Sequence, residues 1–182
     1  MRDALLLVDV IDDFRHEHGD DLLRSFRTRQ PALVRALADA RGTIPVLYAN
    51  DMHDRWDGNA PGFVAEVRAN GLAGELIAEV GPCDGEPFVF KPRYSAFDAT
   101  PLEILLEELR IERVLLAGNA TEMCVTQTPI AARELGFKVT VLADCCATLD
   151  PELEEVALTY LERVVGARVE RARESVVSSS TG

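Results

Sequence analysis

The chain has 182 residues, 47% of them hydrophobic and 27% charged, a composition ordinary for one soluble domain with a sizeable core. Its 19 basic and 31 acidic residues give a net charge of −12, which counts against nucleic acid or an anionic membrane as a partner. No apolar run is long enough to cross a bilayer, and the amino terminus lacks the basic start and long apolar region of a signal peptide. Cys83, Cys124, Cys145 and Cys146 fit neither a disulfide framework nor paired C-x-x-C metal spacing, so the expected home is a reducing cytoplasm.

In chain order, Ala4 to Val8 is a continuous apolar run ending at Asp9, as expected of a parallel strand buried on both faces. Arg15 to Arg29 is polar and charged and reads as a long loop with some helix. Pro31 then suits the first turn of a helix carrying Leu33, Val34, Leu37 and Ala38, closed by Gly42. Ile44 to Ala49 forms a second strand, and the weakly amphipathic stretch from Gly62 to Val80 follows a loop rich in Asp, Gly, Asn and Pro. Pro87 to Lys91 is a short third strand, and Thr100-Pro101-Leu102-Glu103 is a capping box with proline at the first helical position.

Val114 to Ala117 is a fourth strand, broken by Gly118, and a helix opens at Thr121 or a neighbour. Cys124 therefore falls near a helix start just beyond a strand's carboxyl end, where unpaired N–H groups and the helix dipole favour a thiolate and lower its pKa from ~8.5. Alone, this cysteine reads equally as a nucleophile or as a small buried residue. Lys138 to Ala143 is a fifth strand, Asp150-Pro151 caps the last helix, and Ala167 to Val169 forms a short edge strand. No repeat or linker divides the chain, so residues 1–173 read as one domain and the serine-rich residues 174–182 as a flexible tail.

The alternation predicts a doubly wound, three-layer α/β/α sandwich with a mostly parallel sheet of five or six strands, ordered 3-2-1-4-5-6. In that order strands one and four meet at the switch point, so Asp9 and Cys124 face each other and Lys91 reaches in from strand three. A carboxylate, an ammonium and a thiol converging in a partly dry pocket make an activated-nucleophile arrangement. The chain resembles the isochorismatase-like superfamily of cysteine hydrolases at these residues. The likeness rests on Ala4 to Asp9 with Asp13-Phe14, on Lys91 to Phe97, and on Gly118 to Val125.

That resemblance implies an Asp9, Lys91, Cys124 catalytic triad cleaving a small amide or carbamoyl C–N bond through a thioester. It also implies a cis peptide between Asn119 and Ala120, and an oxyanion hole formed by the backbone N–H groups of Ala120 and Cys124. Two alternatives are a vinyl ether hydrolase of the isochorismate type, using Asp9 as acid, and a member that only binds a small molecule or partner chain. Asp51 and His53 match the Asp-x-His pair by which nicotinamidases hold a metal, but no histidine follows, so neither metal nor other cofactor is expected. His16 and His18, in a charged stretch, read as solvated.

Phe14, Trp56, Tyr94 and Phe97 all sit in loops leaving strand ends and read as pocket walls, with Asn50 as a further substrate-binding residue. The expected ligand is a small molecule. The resemblance also implies a dimer or larger homo-oligomer, and the loop from Asp51 to Phe63, with Trp56 and Phe63, is the candidate interface.

Overall fold

Leu5 and Leu7 point to one face of their strand and Ala4, Leu6 and Val8 to the other, and all five are buried. They belong to β1 (Asp3–Val8) of a computed structural model that describes residues 1–52 and 55–172. The other strands are β2 (Val46–Asp51), β3 (Phe88–Lys91), β4 (Arg113–Gly118), β5 (Lys138–Cys146) and β6 (Arg168–Glu170). They form one six-stranded sheet in the order β3-β2-β1-β4-β5-β6, every pairing parallel.

Three helices cover one face: α1 (Gly19–Ala40), α2 (Ala60–Asn70) and α3 (Gly74–Val80). The other face carries α4 (Leu102–Glu108), α5 (Cys124–Glu134) and the end of α6 (Pro151–Tyr160), which continues into a π-helical turn at Leu161–Val165. Asp150 caps α6, accepting from the N–H groups of Glu152 and Leu153 at 2.8 and 3.3 Å. None of the helices among the described residues is long and apolar enough to cross a membrane.

The expectation of a long loop with some helix over 15–29, and of a separate helix with Pro31 in its first turn, is corrected: α1 begins at Gly19 and runs through Pro31. The polar composition concealed a helical stripe, since Leu22, Leu23, Phe26, Gln30, Leu33, Leu37 and Ala40 are buried while charged residues face water. Proline inside the helix gives up one N–H bond, which the packing of this stripe on the sheet outweighs. The stretch from 62 to 80 is two helices, with Gly71 ending the first. Phe63 is buried in its own chain against Phe88 and Phe90, which removes it from the expected interface. Trp56 stays 80% exposed.

Candidate active site

The connection after β1 leads to α1 on one face, and that after β4 leads to α5 on the other, which opens a crevice at the strands' carboxyl ends. Backbone pressing on backbone sets its shape. Gly118 has φ +143°, and a Cβ there would lie 1.9 Å from the Val8 carbonyl oxygen, so only glycine lets β4 end this close to β1. Across the crevice Asp9 has φ +52°, a left-handed turn that asparagine and aspartate tolerate best and that marks stored strain. The Asn119 side-chain amide donates to the Asp9 carbonyl at 3.0 Å, and the Asn119 N–H to that of Val8 at 2.9 Å.

Phe88 and Phe90 pack on the α1 side of the sheet, so alternation sends Lys91 to the α5 side. Its fully buried ammonium lies 2.8 Å from an Asp9 carboxylate oxygen and donates to Cys124 Sγ at 3.3 Å and to the Arg93 carbonyl at 3.1 Å. The other Asp9 oxygen accepts the Asp51 N–H, at the end of β2, at 2.7 Å. Four strands thus contribute to one cluster, and its three side chains are those the sequence brought forward.

Electrostatics set the resting charges. Burial raises the Asp9 pKa, against the opposing pull of Lys91. Burial alone would lower Lys91, but the carboxylate and thiol facing it outweigh that and hold the ammonium above its ordinary range. Burial, with help from Asp9, pushes the Cys124 thiol up to about 12. The expected lowering by the helix start is therefore overturned: desolvation and a neighbouring anion exceed what the helix end and Lys91 supply. At neutral pH Cys124 therefore rests as the thiol, beside an ammonium that favours the ionised form of Asp9 against the burial that opposes it.

Cys124 is the first residue of α5. Its N–H and that of Ala120 donate to no protein acceptor among the described residues, leaving two donors beside the sulfur. The expected cis peptide between Asn119 and Ala120 is corrected: the described peptide bonds are all trans. Gly118 makes the turn instead, and the Thr121 N–H bonded to the Ala147 carbonyl at 2.8 Å anchors the segment beyond it.

A cavity of about 240 Å³ opens onto Asp9 and Cys124, walled by Ile11, Leu22, Met123 and Leu149 with Asp12, Asn50, Asp51, Tyr94 and Asn119. Of the expected wall residues, Asn50 and Tyr94 are in place. Asn50 is occupied structurally, its side chain accepting from the Ile11 N–H and donating to the Ile11 carbonyl, both at 3.0 Å. Phe14, Phe97 and Trp56 are not part of this wall. Phe14 is 1% exposed and packs on Phe26 in the core, Phe97 stacks on Phe137 on the α5 side, and Trp56 faces solvent.

His16 and His18 are exposed, as expected, yet both line the cavity mouth, with His16 Nε2 3.3 Å from Asp12. Their place soon after Asp9, in the segment leaving β1's carboxyl end, was the available signal. Nothing in the sequence marks Glu122 as part of the site. Its carboxylate accepts from the Leu149 and Asp150 N–H groups and the Thr148 hydroxyl, which ties the turn before Cys124 to the loop that places Leu149 in the wall. Asp51 borders the cavity, whereas His53 lies outside the described residues, as does the tail from 174 to 182. No group of three potential metal ligands occurs among the described residues.

A parallel sheet in this order with helices on both faces is the architecture of isochorismatase-like hydrolases. The chain belongs to the isochorismatase family: the Isochorismatase domain family model matches residues 3–174. The uncharacterized isochorismatase family protein YaaI of Bacillus subtilis (strain 168) is 31% identical over 167 residues, spanning 91% of this chain and 92% of YaaI. The nicotinamidase SaPncA of Staphylococcus aureus superposes with a TM-score of 0.72 at 27% identity, covering 93% of this chain and 98% of its own. The N-carbamoylsarcosine amidase of Thermoplasma acidophilum does so with a TM-score of 0.72 at 27% identity, covering 94% and 97%.

Proposed function

We propose that this protein is a cysteine hydrolase that cleaves the C–N bond of a small amide through a thioester on Cys124. The observation that carries the reading is the Lys91 ammonium in contact with both Asp9, at 2.8 Å, and Cys124, at 3.3 Å, beside a small cavity. Similarity to a nicotinamidase and an N-carbamoylsarcosine amidase supports it.

Because the resting thiol is protonated, attack is coupled to proton transfer. Asp9 takes the Cys124 proton as Sγ adds to the carbonyl carbon, and Lys91 offsets the growing negative charge. The carbonyl electrons move onto oxygen, where the Ala120 and Cys124 N–H groups receive them. Asp9 passes its proton to the departing nitrogen, the C–N bond breaks and an acyl-cysteine remains. Water then attacks the thioester as Asp9 takes a proton from it, and collapse releases the acid and returns the proton to sulfur. A vinyl ether hydrolysis would use Asp9 as acid and leave Cys124 idle.

Intact-protein mass spectrometry during turnover of a panel of small amides tests this. The expected result is a transient acyl mass that maps to Cys124 and is absent, along with activity, in Cys124→Ala. Turnover with no acyl-enzyme, or an active Cys124→Ala, refutes the mechanism.

A further inference from the structure

The cavity's lining is one-sided. Its acidic side chains are those of Asp9, Asp12 and Asp51, His16 and His18 stand at its mouth, and among the described residues no arginine or lysine lines it. Lys91 is buried beneath the cluster and committed to Asp9, Cys124 and a backbone carbonyl. Tyr94 borders both the cavity and a neighbouring groove. Arg93 belongs to the groove alone, where it is ion-paired to Asp98 at 2.8 Å. His16 lies 3.3 Å from Asp12, which balances any charge the imidazole takes up.

The neutral polar side chains are spent on backbone: the Asn119 Nδ2 on the Asp9 carbonyl and the Asn50 amide on both backbone groups of Ile11. The rest of the wall, Ile11, Leu22, Met123 and Leu149, is apolar.

We infer that the site takes an uncharged amide with a small apolar acyl group, and rejects amides that also bear a carboxylate. The carbonyl oxygen meets the Ala120 and Cys124 N–H groups, and the acyl chain lies along the apolar wall. A carboxylate on that chain would approach Asp12, with no arginine or lysine among the described lining residues to receive it. Asp12 is the specificity-determining residue for this discrimination. The inference rests on the amide-hydrolase reading above.

A matched pair tests it: butanamide against succinic acid monoamide, in which a carboxylate replaces the terminal methyl group. With the parent protein at about pH 8, where an ordinary imidazole is uncharged, kcat/KM should favour butanamide by roughly 100-fold, because like charges brought together in a pocket are strongly disfavoured. Asp12→Asn keeps an oxygen for the Phe14 N–H, which Asp12 now holds at 2.7 Å, and should narrow the ratio by about tenfold through faster turnover of the anionic amide. Equal or preferred use of succinic acid monoamide overturns the inference, and loss of that preference in Arg93→Ala would identify the groove as a carboxylate clamp. A ratio unchanged in Asp12→Asn overturns the role of Asp12. If neither amide is turned over or leaves an acyl group on Cys124, the amide-hydrolase reading falls too.

Discussion

Lys91→Met keeps an unbranched stem of similar length and removes only the buried charge. The ammonium lies 2.8 Å from the Asp9 carboxylate. At an effective dielectric of about 20, that pair is worth at most about 6 kcal/mol. The sign follows from the chemistry. Lys91 favours the ionised form of Asp9, whose pKa burial has already raised above 3.8, so its loss raises the pKa further. The base must be ionised to act, so the acid limb of the pH–rate profile should move upward and activity at neutral pH should fall.

Stability should respond in the same window. A carboxylate whose folded pKa exceeds its unfolded value has no penalty below the unfolded pKa and loses stability as pH rises towards the folded one. The variant's deficit in urea denaturation should therefore grow from pH 4 upward and level off at about 3–5 kcal/mol. An acid limb unmoved from the parent's, together with a stability gap independent of pH, would show that Lys91 does not hold the Asp9 charge.

Other substitutions probe the frame. Gly118→Ala should destabilise by about 3 kcal/mol or more, read from the denaturant midpoint, because its Cβ would strike the Val8 carbonyl at 1.9 Å. Asn50→Leu should cost about 2–4 kcal/mol by stranding the buried N–H and carbonyl of Ile11, with faster amide exchange confined at first to the segment after Asp9. Light scattering at micromolar concentration should return a multiple of the 20.0 kDa chain mass, with the exposed Trp56 near the contact. A monomer mass would end that expectation.

The frame and the Asp9, Lys91, Cys124 cluster were legible because a parallel sheet writes its strands as apolar runs and puts its chemistry where those runs stop. Three such stops carried a carboxylate, an ammonium and a thiol, and the topology brings them together. The pocket wall was harder to read. Phe14 and Phe97 occupy loops at the correct end of the sheet, yet loop position says nothing about which way a ring turns, and both turn inward. α1 was obscured because its buried positions are scattered among charges, where periodicity outweighs composition. The resting thiol was beyond sequence reading, since its pKa depends on burial and on a carboxylate distant along the chain.

The double hydrogen bond from Asn50 to Ile11 makes a side chain do a peptide's work. With one acceptor and one donor it pairs both backbone groups of its partner, as a neighbouring strand would, at a point where the chain has left the sheet. The segment bearing Asp12, His16 and His18 is thereby moored to β2 rather than merely resting on the cavity. The selectivity of the mouth can therefore be retuned by exchanging those three residues while the mooring stays fixed. The chemistry beneath, carried by strand ends that cannot shift without the whole sheet, need not change with it.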